Sequence, residues 1–176
     1  MSLTLRELWT AAHGMIFGAV FLLAFAGGLA SLYSLRPELV TAAGIRERLP
    51  RIRRGTGLMA LIAWLTVISG TYIVYPWYRA RPPEGVTDLT GYLRYFLLDN
   101  PNLAGWHTFG MEWKEHVAWF APILATAVFY ITWKYGPELA QNDRLRKTVM
   151  VLFILAFAAA IAGLFGALIT KAAPIL

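Results

Sequence analysis

Residues 149–170 read VMVLFILAFAAAIAGLFGALIT, 22 positions without a single ionisable side chain. A helix needs roughly 20 mostly apolar residues to cross the hydrocarbon of a bilayer, so this stretch points to a membrane span. Working outward from it, three more runs have the same character: Val117–Trp133, Leu58–Tyr75 and Leu8–Leu35. Each is far longer than a strand of a membrane barrel, and none alternates with a period of two. The expected fold is all-α, an integral membrane four-helix bundle with spans at about residues 8–35, 58–75, 117–133 and 149–170. Residues 1–176 form a single membrane domain in this reading, because the longest segment between spans holds only roughly forty residues.

Composition agrees. Apolar residues make up 58% of the chain and charged residues 15%, a balance that would leave a soluble protein of this size with more apolar surface than one core can hide. The first span follows Arg6 beside Glu7, without the net positive flank of a secretory signal, and is read as retained. The absence of cysteine excludes disulfides, iron–sulfur clusters, thiolate metal sites and covalently attached haem.

The net charge of +6 is unevenly spread. The segments joining spans one to two and three to four carry Arg36, Arg46, Arg48, Arg51, Arg53, Arg54, Lys134, Arg144, Arg146 and Lys147 against Glu38, Glu47, Glu138 and Asp143. Elsewhere the bases Arg6, Arg79, Arg81, Arg94, Lys114 and Lys171 balance six acids. Short basic loops stay in the cytoplasm, so both termini and the long middle segment are expected outside, in a bacterial or archaeal cytoplasmic membrane. Attraction to anionic lipid accounts for the basic loops, and no nucleic-acid partner is expected.

The first connection is punctuated by Pro37, Gly44, Pro50, Gly55 and Gly57 and should hold at most a short amphipathic turn or two. The second, from Trp77 to about Lys114, is rich in aromatic residues. Its GYLRYFLL (residues 91–98) reads as a short helix in an ordered, aromatic-rich extracytoplasmic cap between helices 2 and 3. In the third, Gly136–Pro137 ends span three and Asn142 or Asp143 caps span four. Trp9, Trp77, Trp106, Trp113 and Trp119 are assigned to the outer interface, and Trp64 and Trp133 lie toward the inner one.

The chain has three histidines, His13, His107 and His116. His13 lies about a turn into span one and His116 at the mouth of span three, at comparable outer depth. Polar groups inside a hydrophobic span are costly and mark functional sites. Two imidazoles from different helices at one depth are what a bis-histidine b-type haem requires. Gly70, Gly163 and Gly166 are candidate small residues beside the macrocycle. Arg79, Arg81 and Lys171 are candidate partners for its propionates. His107, in GWHTFG, is expected at the surface of the cap, outside direct ligation.

A second constellation is Glu112-x-x-Glu115-His116. Glu112 and His116 are four apart on a helix and share a face, so with His107 and His13 they could hold copper, zinc or non-haem iron. No Walker loop, catalytic Ser–His–Asp arrangement or H-E-x-x-H motif is present, and the span centres carry no ionisable residue. Four spans with histidines near one face resemble, in architecture, the small membrane-bound b-type cytochromes. That resemblance implies an electron-transfer protein or haem-carrying subunit rather than a stand-alone enzyme, holding one haem b and exchanging electrons with a quinone or with other subunits of a redox complex. The alternatives are a non-haem metal protein using His107, Glu112 and His116, and a cofactor-free structural subunit.

Overall fold

The structure, a computed structural model, describes residues 4–172. Four helices are long and apolar enough to cross a membrane: α1 (Leu5–Tyr33), α2 (Ala42–Tyr78), α4 (Trp106–Lys134) and α6 (Asp143–Ala172). Two short helices, α3 (Leu93–Asp99) and α5 (Glu138–Gln141), sit in the connections. Among the described residues there is no strand. Helix α1 packs on α2, α2 on α4 and α4 on α6. The ring closes where Phe25 of α1 stacks on Phe153 and Phe157 of α6, at centroid distances of 5.2 and 4.3 Å. The end of the bundle carrying the start of α1, the end of α6 and the 79–105 connection is here the upper end. The lower end carries the two short connections.

The lower half is built as an apolar core. Leu32, Met59, Val128, Val149 and Phe153 are fully buried there. Its one buried hydroxyl pair, Thr56 and Thr132, bridges α2 and α4 at 2.9 Å. Asn142 caps α6 by accepting the Leu145 N–H. Buried Arg146 ties the lower turn together, donating to the Leu139 carbonyl and pairing with Asp143.

Two helices begin well before their apolar runs. Helix α2 starts at Ala42, not near Leu58, so the first connection is mostly helix. Thr41 caps it by accepting the Gly44 N–H, and Glu47 pairs with Arg51 one turn on at 2.6 Å. Packing then decides: Leu49 and Ile52 are buried, and at Gly57 an added Cβ would stand 3.1 Å from the Phe129 ring. A glycine that reads as loop punctuation is a notch for a neighbouring ring. Helix α4 likewise starts at Trp106 instead of about Val117. It bends at Ala118–Trp119, one turn ahead of Pro122, whose ring denies the Ala118 carbonyl its usual N–H donor.

The tryptophan assignment also needs correction. Trp64 and Trp119, expected at opposite interfaces, meet edge to face at 6.3 Å, and Trp64 donates its indole N–H to Thr126 Oγ1. Both sit part-way along their helices, where an indole satisfied by a threonine needs no interface water.

Candidate functional site

The upper end differs in backbone as well as in side chains. Three of the four long helices change there to π-helical geometry: Ala12–Ile16 in α1, Gly70–Val74 in α2 and Trp106–Met111 in α4. Such wide turns cost packing and concentrate at functional sites. They carry His13, Gly70 and His107 respectively.

His13 turns toward α2. Its ring lies over Gly70, where an added Cβ would stand 2.7 Å from Cε1. The Ser69 hydroxyl donates to the Thr66 carbonyl, so at 3.1 Å it accepts from His13 Nδ1. That bond fixes the tautomer and leaves Nε2 with its lone pair. Lys114 of α4 rests on Gly166 of α6, where a Cβ would come within 2.7 Å of Nζ. Gly70 and Gly166 are thus two small-residue seats at one level of the bundle, each taken by a polar side chain of a neighbouring helix.

His107 departs from expectation. It is buried, 4% exposed, and not on the surface of a cap. Its Nδ1 meets the Tyr78 hydroxyl at 2.8 Å, while Arg94 Nε, on α3, donates to Nε2 at 3.3 Å. Because arginine can only donate, Nε2 is the acceptor and Nδ1 donates to the Tyr78 oxygen. Glu112 Oε1 lies 3.8 Å from the same Nε2. The pair is five residues apart, a spacing that the π-helical turn brings to one side.

His116 stands on the exposed side of α4, and its Nδ1 donates to the Glu112 carbonyl at 2.6 Å. This too leaves Nε2 unengaged. On the same helix Glu115 keeps one buried carboxylate oxygen, Oε1, without a hydrogen-bond partner among the described residues. The Tyr75 hydroxyl accepts from Arg79 at 2.6 Å.

The expected site residues therefore divide. Gly70 and His13 are in contact, Gly166 meets Lys114, and His107 approaches Glu112. His116 is on an exposed face two residues from inward-turned Lys114. Arg81 and Lys171 are exposed. Gly163 faces open space, with nothing within 4 Å of an added Cβ. Among the described residues no three His, Asp or Glu side chains converge closely enough to hold a metal ion.

Tyr78, Arg94 and Lys114 do not stand out as site residues in the sequence, and Glu115 does so only within the Glu112-x-x-Glu115-His116 run. The one available signal was Lys114–Glu115, two consecutive charges next to a candidate histidine at a helix mouth. The chain matches none of the protein-family models, curated proteins or solved structures with which it was compared.

Proposed function

We propose that the chain is a multi-pass membrane protein, a b-type cytochrome or haem-carrying subunit, that transfers electrons at the upper end of the bundle. His13 and His116 are the axial ligands of one haem b in this reading, and His107 stands outside ligation. The observation that carries it is the state of the three imidazoles. His13 and His116 each have Nδ1 tied, to Ser69 Oγ and to the Glu112 carbonyl, with Nε2 unengaged. A metal-ligating histidine is held in this way, with its second nitrogen bonded to a neighbour that fixes tautomer and ring orientation. His107 has both nitrogens engaged, by Tyr78 and Arg94.

Haem bound there supplies one-electron chemistry. The chain's own residues do the rest: Ser69 and the Glu112 carbonyl orient the rings, and Gly70 gives the His13 ring room. Bringing exposed His116 and inward His13 to one iron requires the upper part of α4 to turn relative to α1. In this proposal that rotation is taken up at the bend at Ala118–Trp119 and in the π-helical turns.

The upper end is the extracytoplasmic one in this proposal, with the 79–105 connection as its aromatic-rich cap, because the excess of lysine and arginine lies in the lower connections. A single haem there cannot alone carry electrons across the ~30 Å hydrocarbon layer, so the proposed transfer runs between quinol and an extracytoplasmic partner at that same face, and transfer across the membrane requires a second cofactor in a partner.

Absorption spectra of the purified protein, oxidised and then reduced, test the proposal. A low-spin haem b spectrum is expected, lost or turned high-spin in His13→Ala and in His116→Ala and kept in His107→Ala. Protein purified without haem, and holding copper, zinc or non-haem iron instead, would overturn it in favour of a metal site that uses the His107–Glu112 approach.

A further inference from the structure

His107 is left out of the proposed electron-transfer site, yet it is the most buried of the three histidines and the only one bonded to the 79–105 connection. Two groups compete for its Nε2. Arg94 Nε, carried by α3, donates to it at 3.3 Å, and Glu112 Oε1 waits at 3.8 Å. Only a neutral ring can accept from Arg94. Once Nε2 carries a proton it must donate, and Glu112 is the acceptor within reach, while the new positive charge repels the guanidinium. Nδ1 donates to Tyr78 in either state, so the ring need not rotate.

The charged and titratable groups facing the ring are few. They are Tyr78 from α2, Arg79 at the start of the connection, Arg94 from α3, and Glu112 and Glu115 from α4. Helix α6 presents apolar Ile169 to this cluster. The rest of the α3 seat is apolar too: Leu93 and Leu97 are buried against Tyr78, Met111 and Ile169. The Arg94–His107 bond is therefore the polar component of α3 docking, and it is the component a proton can remove.

We propose that His107 is a proton-operated latch on the 79–105 connection: neutral, it holds α3 through Arg94, and protonated, it turns to Glu112 and lets α3 loosen. Access to the upper end of the bundle then depends on the pH of the compartment it faces. This inference does not rest on haem or on electron transfer.

The test uses distance measurements between spin labels. The chain has no cysteine, so Asp99→Cys on α3 and Ala167→Cys on α6, both exposed, give one unique label pair in the full-length protein in lipid nanodiscs. One narrow distance is expected at about pH 8. At about pH 5, below the ordinary histidine range, a second, longer distance should grow by roughly tenfold in population, the change expected for losing one hydrogen bond to a charged group. His107→Gln can still accept from Arg94 but takes no proton, so its distribution should stay narrow at both pH values. Arg94→Ala should show the longer distance at both. Glu112→Gln should need a lower pH to reach the same population. A wild-type distribution that does not change with pH overturns the latch, as does a pH response that survives in His107→Gln or in Arg94→Ala.

Discussion

The two halves of this bundle use the same four helices differently. Below, the backbone is regular α-helix and the interior is apolar, with Phe153 filling the space over Gly28, where an added Cβ would stand 2.6 Å from the ring. Above, three helices widen into π turns and the interior carries His13, Ser69, His107, Lys114 and Glu115. Packing in lipid rests on close van der Waals fit, because lipid tails are as apolar as the side chains. The lower half meets that demand. The upper half gives up helical regularity and holds buried polar atoms, one of them without a donor among the described residues. Local rules are broken in this way where a protein keeps a site, and the candidate site residues gather at the upper end.

The largest expected effect comes from attacking the lower half. Phe153→Ala removes a ring that is 0% exposed and stacked on Phe25, and should cost about 3–5 kcal/mol, the range for emptying such a site. Reversible unfolding in mixed micelles would measure it. His107→Ala at the upper end should cost less, because the π turn that carries it can relax around the gap. A larger loss from His107→Ala than from Phe153→Ala would mean that the upper cluster, and not the apolar core, holds the bundle together.

A finer version concerns the polar bridge of the lower half. Thr56 Oγ1 has the Ile52 carbonyl in reach and Thr132 Oγ1 the Phe129 carbonyl; each hydroxyl has a single proton, so one donates across the bridge and the other to its own helix. Each hydroxyl keeps a backbone partner on its own helix when the bridge is cut. Thr56→Val should therefore cost about 1 kcal/mol or less, in line with hydrogen bonds between membrane helices. The same unfolding measurement decides it, and a cost several times greater would make the bridge, not the aromatic packing, the main tie between α2 and α4.

The same division explains what could be read from the chain. The four helices were legible because apolar runs such as 149–170 have few other uses. The starts of α2 and α4 were not. They lie outside the apolar runs, and it is packing of Leu49, Ile52 and Gly57 onto other helices that keeps residues 42–57 helical through Pro50. His13, His116 and Gly70 stood out as polar or small residues in an apolar setting. The surroundings of His107 did not, because Tyr78 and Arg94 come from 29 and 13 residues away and the Glu112 contact depends on a π turn. Spacing rules for an ordinary helix pair Glu112 with His116 instead; those two do meet, but through the Glu112 backbone carbonyl.

The smallest effect separates two glycines one turn apart on α6. At Gly166 a methyl group would meet the Lys114 ammonium at 2.7 Å. Lysine is flexible at that end, so Gly166→Ala should displace the Lys114 ammonium from its seat with little change in stability. At Gly163 nothing lies within 4 Å of the added carbon. Replacing a glycine inside a helix by alanine is worth roughly 0.5–1 kcal/mol when the new methyl fits, so Gly163→Ala should be as stable as wild type or slightly more so. Gly163→Leu should also assemble normally, its side chain directed away from the bundle. Unfolding measurements on the three variants, with size-exclusion chromatography in detergent, give the comparison. Should Gly163→Leu alone change the size of the particle while leaving the isolated bundle folded, the open face of α6 would be one that another chain covers. The upper end would then have to be understood as a shared site rather than as the property of one bundle.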